Sequence, residues 1–150
     1  MAKLKVSNEI KAPVEQVFEL FTDIENAADR VSAIKKIDIL STGPFHLGFR
    51  WCETRDVMGR LDDAEMEITS YEKNKGYTVT HHKAGVRIDT VFSFAPVENG
   101  TSVSIEFELN SQGLPPGLLS PLEWAVSGKV RDVLSDDLDD LKRSVEQITT

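Results

Sequence analysis

The sequence has little cysteine and no long apolar run. Cys52 is the single cysteine among 150 residues, so no disulfide can form within the chain and nothing indicates an oxidising compartment. No segment has enough consecutive apolar residues to span a bilayer. Lys3 and Lys5 lie in an alternating segment rather than before the apolar core of a signal peptide. We therefore expect a cytoplasmic protein without an integral membrane segment.

Positive charge is also scarce in this sequence. The chain has 17 Lys and Arg residues against 25 Asp and Glu residues, which gives a formal net charge of −8 at pH 7. Nucleic acids and anionic membrane surfaces are polyanions, and a negatively charged protein is repelled by them. The composition therefore predicts no nucleic-acid partner, and a neutral or cationic partner is more compatible with it.

Motifs for metals, nucleotides and covalent catalysis are missing. There is no Gly-rich loop between a strand and a helix of the kind that holds phosphates. A pair of His residues four positions apart and a cluster of Cys and His, both typical of zinc sites, are also absent. The adjacent His81 and His82 would lie on opposite faces of a strand and could not readily hold one metal ion. We expect no metal, no cofactor and no recognisable pair of nucleophile and base.

A long amphipathic helix is predicted near the end of the sequence, from Ser120 to Ile148. Ser120 and Glu123 form a capping box, and Pro121 suits the first helical position. Apolar residues then recur every three or four positions, as on one buried helical face: Leu122, Val126, Val130, Val133, Leu134, Leu138, Leu141, Val145 and Ile148. At about 1.5 Å per residue the stripe is roughly 40 Å long, so it needs an equally long apolar partner surface.

Seven strands are predicted before that helix. Apolar and polar residues alternate with the period of a half-buried strand in segments separated by turn residues: 3–10, 34–40, 49–56, 61–71, 77–82, 86–97 and 101–110. Between the first two strands, Pro13 and the apolar spacing after it predict a short helix, and a capping box at Thr22 to Glu25 predicts a second one. Short loops between the other strands favour an antiparallel meander.

These elements predict an α+β fold. The dry face of a curved seven-stranded antiparallel sheet is the surface that the long helix requires, and we expect a pocket between the two. With 40% hydrophobic and 28% charged residues, the chain has the length and composition of one domain, which we place at 1–150.

Four stretches of the sequence, with the order of elements, match a known family: Ile10 to Phe18, Thr22 to Asn26, Gly48 to Arg55, and the terminal helix. They resemble the START-like (SRPBCC) superfamily, particularly its polyketide cyclase/dehydrase-like branch. The resemblance covers nearly the whole chain and implies a helix-grip fold with an elongated apolar cavity. Members include lipid carriers, hormone receptors, aromatic polyketide cyclases and proteins that act on protein partners, so the fold alone does not select a function. Ala27 to Arg30 lacks the aromatic residues common there in the family, which would widen or open one end of the pocket.

Three titratable residues are candidates for chemistry in the pocket. Strand alternation predicts that Glu53 points inward with Trp51, with Arg55 near the rim; a desolvated carboxylate there could act as acid, base or ligand anchor. The alternative is that Glu53 pairs with an Arg at the sheet edge. His81 could exchange a proton inside the cavity, or be exposed or structurally hydrogen-bonded. Asp137 falls within the apolar stripe of the helix, so it should meet a polar partner or reach water at a cavity mouth, unless the helix has run past the sheet.

The expected pocket wall consists of inward-facing apolar and small polar side chains. Together with Glu53, His81 and Asp137, the predicted ligand-binding residues are Trp51, Met66, Thr90, Phe92, Phe107, Trp124, Val126 and Val130. Apolar walls with a few polar groups are typical of small-molecule sites, although the same aromatic residues would serve equally as core.

Three functions are compatible with this pattern. The first is noncovalent binding or transport of an apolar or aromatic small molecule of the lipid, quinone or polyketide type. The second is a polyketide cyclase/dehydratase-type enzyme in which Glu53, His81 or Asp137 moves protons. The third is an interaction module for a basic protein partner, in which the carboxylates between Asp132 and Asp140 other than Asp137 form a solvated acidic helix face.

Overall fold

Seven antiparallel strands form one sheet in the computed structural model, which describes residues 2–57, 59–83, 85–110 and 128–149. The strands are β1 (Ala2–Ile10), β2 (Ile34–Ile39), β3 (Arg50–Val57), β4 (Arg60–Glu72), β5 (Gly76–Lys83), β6 (Val86–Val97) and β7 (Gly100–Asn110). Their spatial order is β1-β7-β6-β5-β4-β3-β2. Every consecutive pair from β2 to β7 is therefore adjacent, and β1 pairs with β7 at one edge of the sheet. The predicted seven-stranded meander is confirmed.

Short helices connect β1 to β2, at opposite edges of the sheet. They are α1 (Val14–Phe21), a 3₁₀ turn (Ile24–Asn26) and α2 (Ala27–Arg30). Pro13 precedes α1 in an extended conformation, which suits a proline at a helix start because no backbone N–H is lost there.

The predicted capping box at Thr22 is wrong. Thr22 ends α1, and its hydroxyl donates to the carbonyl of Phe18 at 2.9 Å instead of capping the next helix. Asp23 stands at the start of the 3₁₀ turn without a capping hydrogen bond. Its carboxylate accepts instead from Arg30 Nη1 and Asn26 Nδ2, both at 2.9 Å. The Asp23 carboxylate therefore pairs with the Arg30 guanidinium instead of capping the backbone N–H groups of the 3₁₀ turn.

The long terminal helix, α3, is described as Gly128–Thr149. The predicted start at Ser120, with Glu123, Trp124 and Val126, lies outside the described residues. Within the described part, Leu134, Leu138 and Val145 are buried as the stripe predicts. Val133 and Ile148 are not: their exposed fractions are 37% and 63%, so the buried face is narrower than the apolar pattern. No helix in the described part of the chain is long and apolar enough to cross a membrane.

Hydrogen bonds from both sides of the fold position α3. Along β1, Arg131 Nη1 donates to the carbonyl of Lys5 at 3.1 Å, and the backbone N–H of Lys11 donates to Glu146 Oε2 at 3.0 Å. After α2, the backbone N–H and the hydroxyl of Ser32 both donate to Asp140 Oδ2 at 2.9 Å. The prediction that Asp140 belongs to a solvated acidic face is therefore wrong, because its carboxylate joins α3 to the loop before β2.

Buried apolar side chains form two separate clusters among the described residues. The larger one is rich in aromatic rings: Phe94 lies 5.1 Å from Phe18 and 5.2 Å from Phe21 between ring centroids, and Phe45 lies 5.1 Å from Tyr77. We call this group of five residues the apolar end. The smaller cluster consists of Val86, Ile88 and Leu109, and Phe107 packs against both clusters.

Candidate functional site

Strand β3 places Glu53 and Arg55 on the inner face of the sheet, together with Trp51. Its pairing with β4 is continuous from Arg50 opposite Glu67 to Val57 opposite Arg60, so side chains alternate without a bulge. Trp51 is only 2% exposed and Glu53 8%, which agrees with the predicted inward direction of both.

A buried ion-pair network joins β3 to α3. Arg55 Nη1 donates to both oxygens of Asp137, at 3.0 and 2.8 Å, and Arg55 Nε donates to Glu53 Oε2 at 3.3 Å. The indole N–H of Trp51 donates to Glu53 Oε1 at 3.3 Å. Glu53 therefore combines features of both predictions made for it: its side chain is buried on the inner face, and it pairs with an arginine, Arg55, on that face. Asp137 has the polar partner that its place in the apolar stripe required.

The network contains more negative than positive charge. Burial raises the pKa of Asp137 to about 6, because desolvation outweighs the pairing with Arg55 and because Glu53 lies close by. The pKa of Arg55 is raised as well: desolvation alone would lower it, and the two carboxylates more than offset that effect. With both carboxylates ionised, the three side chains carry a formal charge of −1.

His81 lies on the same inner face, paired with Ile88 across β5 and β6. Its Nδ1 atom is buried and has no hydrogen-bond partner among the described residues. Burial lowers the pKa of the imidazole, partly opposed by the charge of Glu53, so the ring is neutral at about pH 7. His82 points to the other side and is exposed. We call Trp51, Glu53, Arg55, His81 and Asp137 together the polar end.

Between the two ends, the inner face is apolar, and some of its side chains are only half-buried. Thr90 pairs with Val79 on one side and with Phe107 on the other. Several predicted wall residues keep part of their surface accessible here: Met66, Thr90, Phe92, Phe107 and Val130. Trp124 and Val126, also predicted for the wall, lie outside the described residues.

Sequence reasoning missed the role of Arg55 as the centre of the network. Opposite charges two positions apart on one strand, at Glu53 and Arg55, were a signal that the two side chains share a face. Nothing local could reveal the bond from Arg55 to Asp137, which are 82 residues apart.

A separate groove lies at the surface, where β1 ends and β6 turns into β7. Its volume is 480 Å³, and it is lined by Asn8, Glu9, Ile10, Lys11, Val97, Asn99, Gly100 and Lys142. None of the predicted site residues borders it. Within the described ranges, no three His, Cys, Asp or Glu side chains are grouped as a metal site would require.

The sheet gripping a long terminal helix, with polar groups on an otherwise apolar inner face, defines a START-like, helix-grip protein. The chain belongs to the polyketide cyclase/dehydrase and lipid transport family, whose model matches residues 1–146. The predicted family is thereby confirmed. Membership supports hydrophobic ligand binding or cyclase activity in general, without choosing between them.

Solved structures share the fold at low sequence identity. The protein TTHA0849 of Thermus thermophilus is 17% identical with a TM-score of 0.80, and the match covers 99% of this chain and 100% of that one. The Zhui aromatase/cyclase of a Streptomyces species is 15% identical with a TM-score of 0.76, over 99% and 96% of the two chains. A START superfamily protein of Mycobacterium smegmatis is 14% identical with a TM-score of 0.73, over 97% and 98%. None of the curated proteins matches the chain in sequence.

Proposed function

We propose that this protein binds or carries an apolar or aromatic small molecule of the lipid, quinone or polyketide type between its sheet and α3. The observation that carries the proposal is the division of the buried apolar residues into two clusters. Phe107 packs against both clusters but is itself half-buried, and so is Thr90, its partner on the neighbouring strand. A pocket wall that is mostly hydrocarbon, with a few polar atoms at one end, suits such a ligand.

The family also supports this proposal. Its description includes lipid transport beside polyketide cyclisation, and both activities require an apolar molecule to be held. In the described residues, Glu53 and Asp137 are already engaged with Arg55, which favours a binding role over one in which these carboxylates transfer protons freely.

Filling the proposed cavity should abolish binding. Thr90→Phe adds a ring on the inner face, whereas Thr78→Phe adds the same ring on the outer face of the neighbouring strand β5. We expect Thr90→Phe to weaken binding of the neutral fluorescent probe N-phenyl-1-naphthylamine by at least about 10-fold, with Thr78→Phe unchanged. Circular dichroism checks that both variants are folded.

Native mass spectrometry of the purified protein provides an independent test. A stoichiometric apolar adduct would support the proposal and give the chemical class of the ligand. Equal probe binding by the two Phe variants, or no binding by the wild-type protein, would contradict a ligand site on the inner face.

Cyclase/dehydratase-type catalysis is a second candidate function, and His81 is the observation that favours it. A neutral imidazole whose buried Nδ1 has no hydrogen-bond partner within the described ranges could act as a base toward a substrate in the cavity. His81→Gln should then lower the rate of cyclisation of a poly-β-ketone by about 100-fold, and His82→Gln, on the opposite face, should not change it. Equal rates in the two variants would exclude His81 as the base.

A further inference from the structure

The hydrogen bonds of Arg55 leave one part of its guanidinium group unused. Nε and Nη1 donate to Glu53 and Asp137, but Nη2 donates to none of the described residues. Both Nη2 hydrogens can therefore donate to a ligand oxygen. His81 Nδ1 is a buried polar atom without a partner among the described residues, which is costly unless a ligand completes its hydrogen bond.

The positive charge of Arg55, in contrast, is fully used. Two carboxylates already face one guanidinium group in a site where Arg55 and Asp137 side chains are 20% and 16% exposed. A ligand carboxylate would place a third negative charge there. Glu53 and Asp137 would repel that charge at short range, and the partly buried site screens the repulsion less than water does. An uncharged hydroxyl or ketone oxygen meets no such repulsion.

Other cations near the polar end do not remove this penalty. Lys83 is 57% exposed and pairs with Asp62. His81 is neutral at about pH 7 because burial lowers its pKa. Among the described residues, the inner face therefore offers hydrogen-bond donors without an unpaired positive charge.

We infer that Glu53 and Asp137 determine specificity by occupying Arg55, so that the site accepts uncharged ligands bearing a hydroxyl or ketone oxygen and rejects carboxylic acids. This inference rests on the proposed binding function and adds the charge class of the ligand. Removing one carboxylate should release Arg55 and admit acids.

The test compares two ligands with the same ring system by calorimetric titration at about pH 7.5: 2-naphthol, which bears an uncharged hydroxyl group, and 2-naphthoate, which bears a carboxylate. Wild-type protein should bind 2-naphthol about 10-fold more tightly. Asp137→Asn should reduce this preference to about 3-fold or less, mainly through tighter binding of 2-naphthoate. Asp136→Asn changes the net charge equally on the exposed side of α3 and should retain the wild-type preference.

A second pair of variants allows the same test if Asp137→Asn or Asp136→Asn does not fold. Glu53→Gln should act like Asp137→Asn, and Glu67→Gln, exposed on β4, is its matched control. The inference is overturned if 2-naphthoate binds wild type as tightly as 2-naphthol, or if the inner and outer variants have the same preference. It is also overturned if neither compound binds while N-phenyl-1-naphthylamine does. If that probe fails as well, the proposed function fails and the inference with it.

Discussion

The apolar and polar ends of the interior are both largely buried, but different interactions hold their side chains together. At the apolar end, aromatic rings meet edge to face or tilted, and the Tyr77 hydroxyl donates to the carbonyl of Phe21 at 3.4 Å. At the polar end, an ion-pair network fixes α3 to β3, and Arg55 Nη2 and His81 Nδ1 have no hydrogen-bond partner in the part of the chain that the structure describes. Under the proposed function the two ends would have different tasks: one end completes its contacts within the protein, and the other would keep donors and acceptors for a ligand.

The distance between the two ends supports this division. Tyr77 and His81 lie on the same face of β5, four residues apart, which is about 13 Å along a strand. An elongated ligand could therefore place its hydrocarbon against the half-buried wall and its oxygen at the polar end.

The largest expected effect comes from removing the cation of the polar end. Arg55→Met leaves Glu53 and Asp137 buried without their partner, so we expect the free energy of unfolding to fall by about 4 kcal/mol in urea denaturation. Arg50→Met is the matched control on the outer face of β3, where Arg50 pairs with exposed Glu65, and it should cost less than about 1 kcal/mol. Equal losses would mean that the network contributes no more than a surface ion pair.

A somewhat smaller loss is expected at the apolar end. Phe94→Ala removes a buried ring that contacts Phe18 and Phe21 and should lower the free energy of unfolding by about 3 kcal/mol. Phe94→Leu should lose clearly less because it leaves a smaller cavity. The preference of the folded variants for 2-naphthol over 2-naphthoate should be unchanged, and a change in it would contradict the division of tasks.

The pH dependence of stability sharpens the comparison further. The pKa of Asp137 is raised from its ordinary value of 3.8 to about 6, so ionisation costs the folded state more than the unfolded state. This cost is absent below about pH 4 and complete above about pH 6. Asp137→Asn avoids it and should therefore be more stable than wild type by about 3 kcal/mol at about pH 7.5, with the gain vanishing near pH 4.

The measurement is urea unfolding of Asp137→Asn, Asp136→Asn and wild type across that pH range. Asp136→Asn should show no such pH-dependent gain. A loss of stability in Asp137→Asn at about pH 7.5 would mean that the ion pair with Arg55 outweighs the desolvation of Asp137.

The smallest effect is expected outside both ends. Ser32→Ala removes the hydroxyl that donates to Asp140, but the backbone N–H of Ser32 still donates to the same oxygen. We expect a loss of about 0.5 to 1 kcal/mol in urea unfolding. Ser70→Ala, at an exposed position of β4, should be neutral, and an equally neutral Ser32→Ala would show that the hydroxyl does not help to position α3.

Much of the fold was predictable because strand alternation is a local signal. The direction of Trp51 and Glu53 follows from parity alone, since no bulge interrupts β3. The partners of the carboxylates on α3 were not predictable in the same way. Asp137 meets Arg55 and Asp140 meets Ser32 only because the chain returns across the sheet, and no spacing in the sequence encodes such contacts.

Local rules also failed where two interactions competed. Thr22 matches a capping box, but its hydroxyl finds the carbonyl of Phe18 in the preceding turn. Val133 belongs to the apolar stripe of α3 but is 37% exposed, because the buried face of the helix is narrower than the stripe of apolar residues in its sequence. Tertiary packing decided both cases.

The most direct test of the central claim is an amide NMR titration with N-phenyl-1-naphthylamine, because it locates the bound ligand. A site on the inner face should shift the signals of Met66, Thr90 and Phe107, with little change at the surface groove around Asn8, Gly100 and Lys142. Shifts confined to that groove, with the inner-face signals unchanged, would contradict the account.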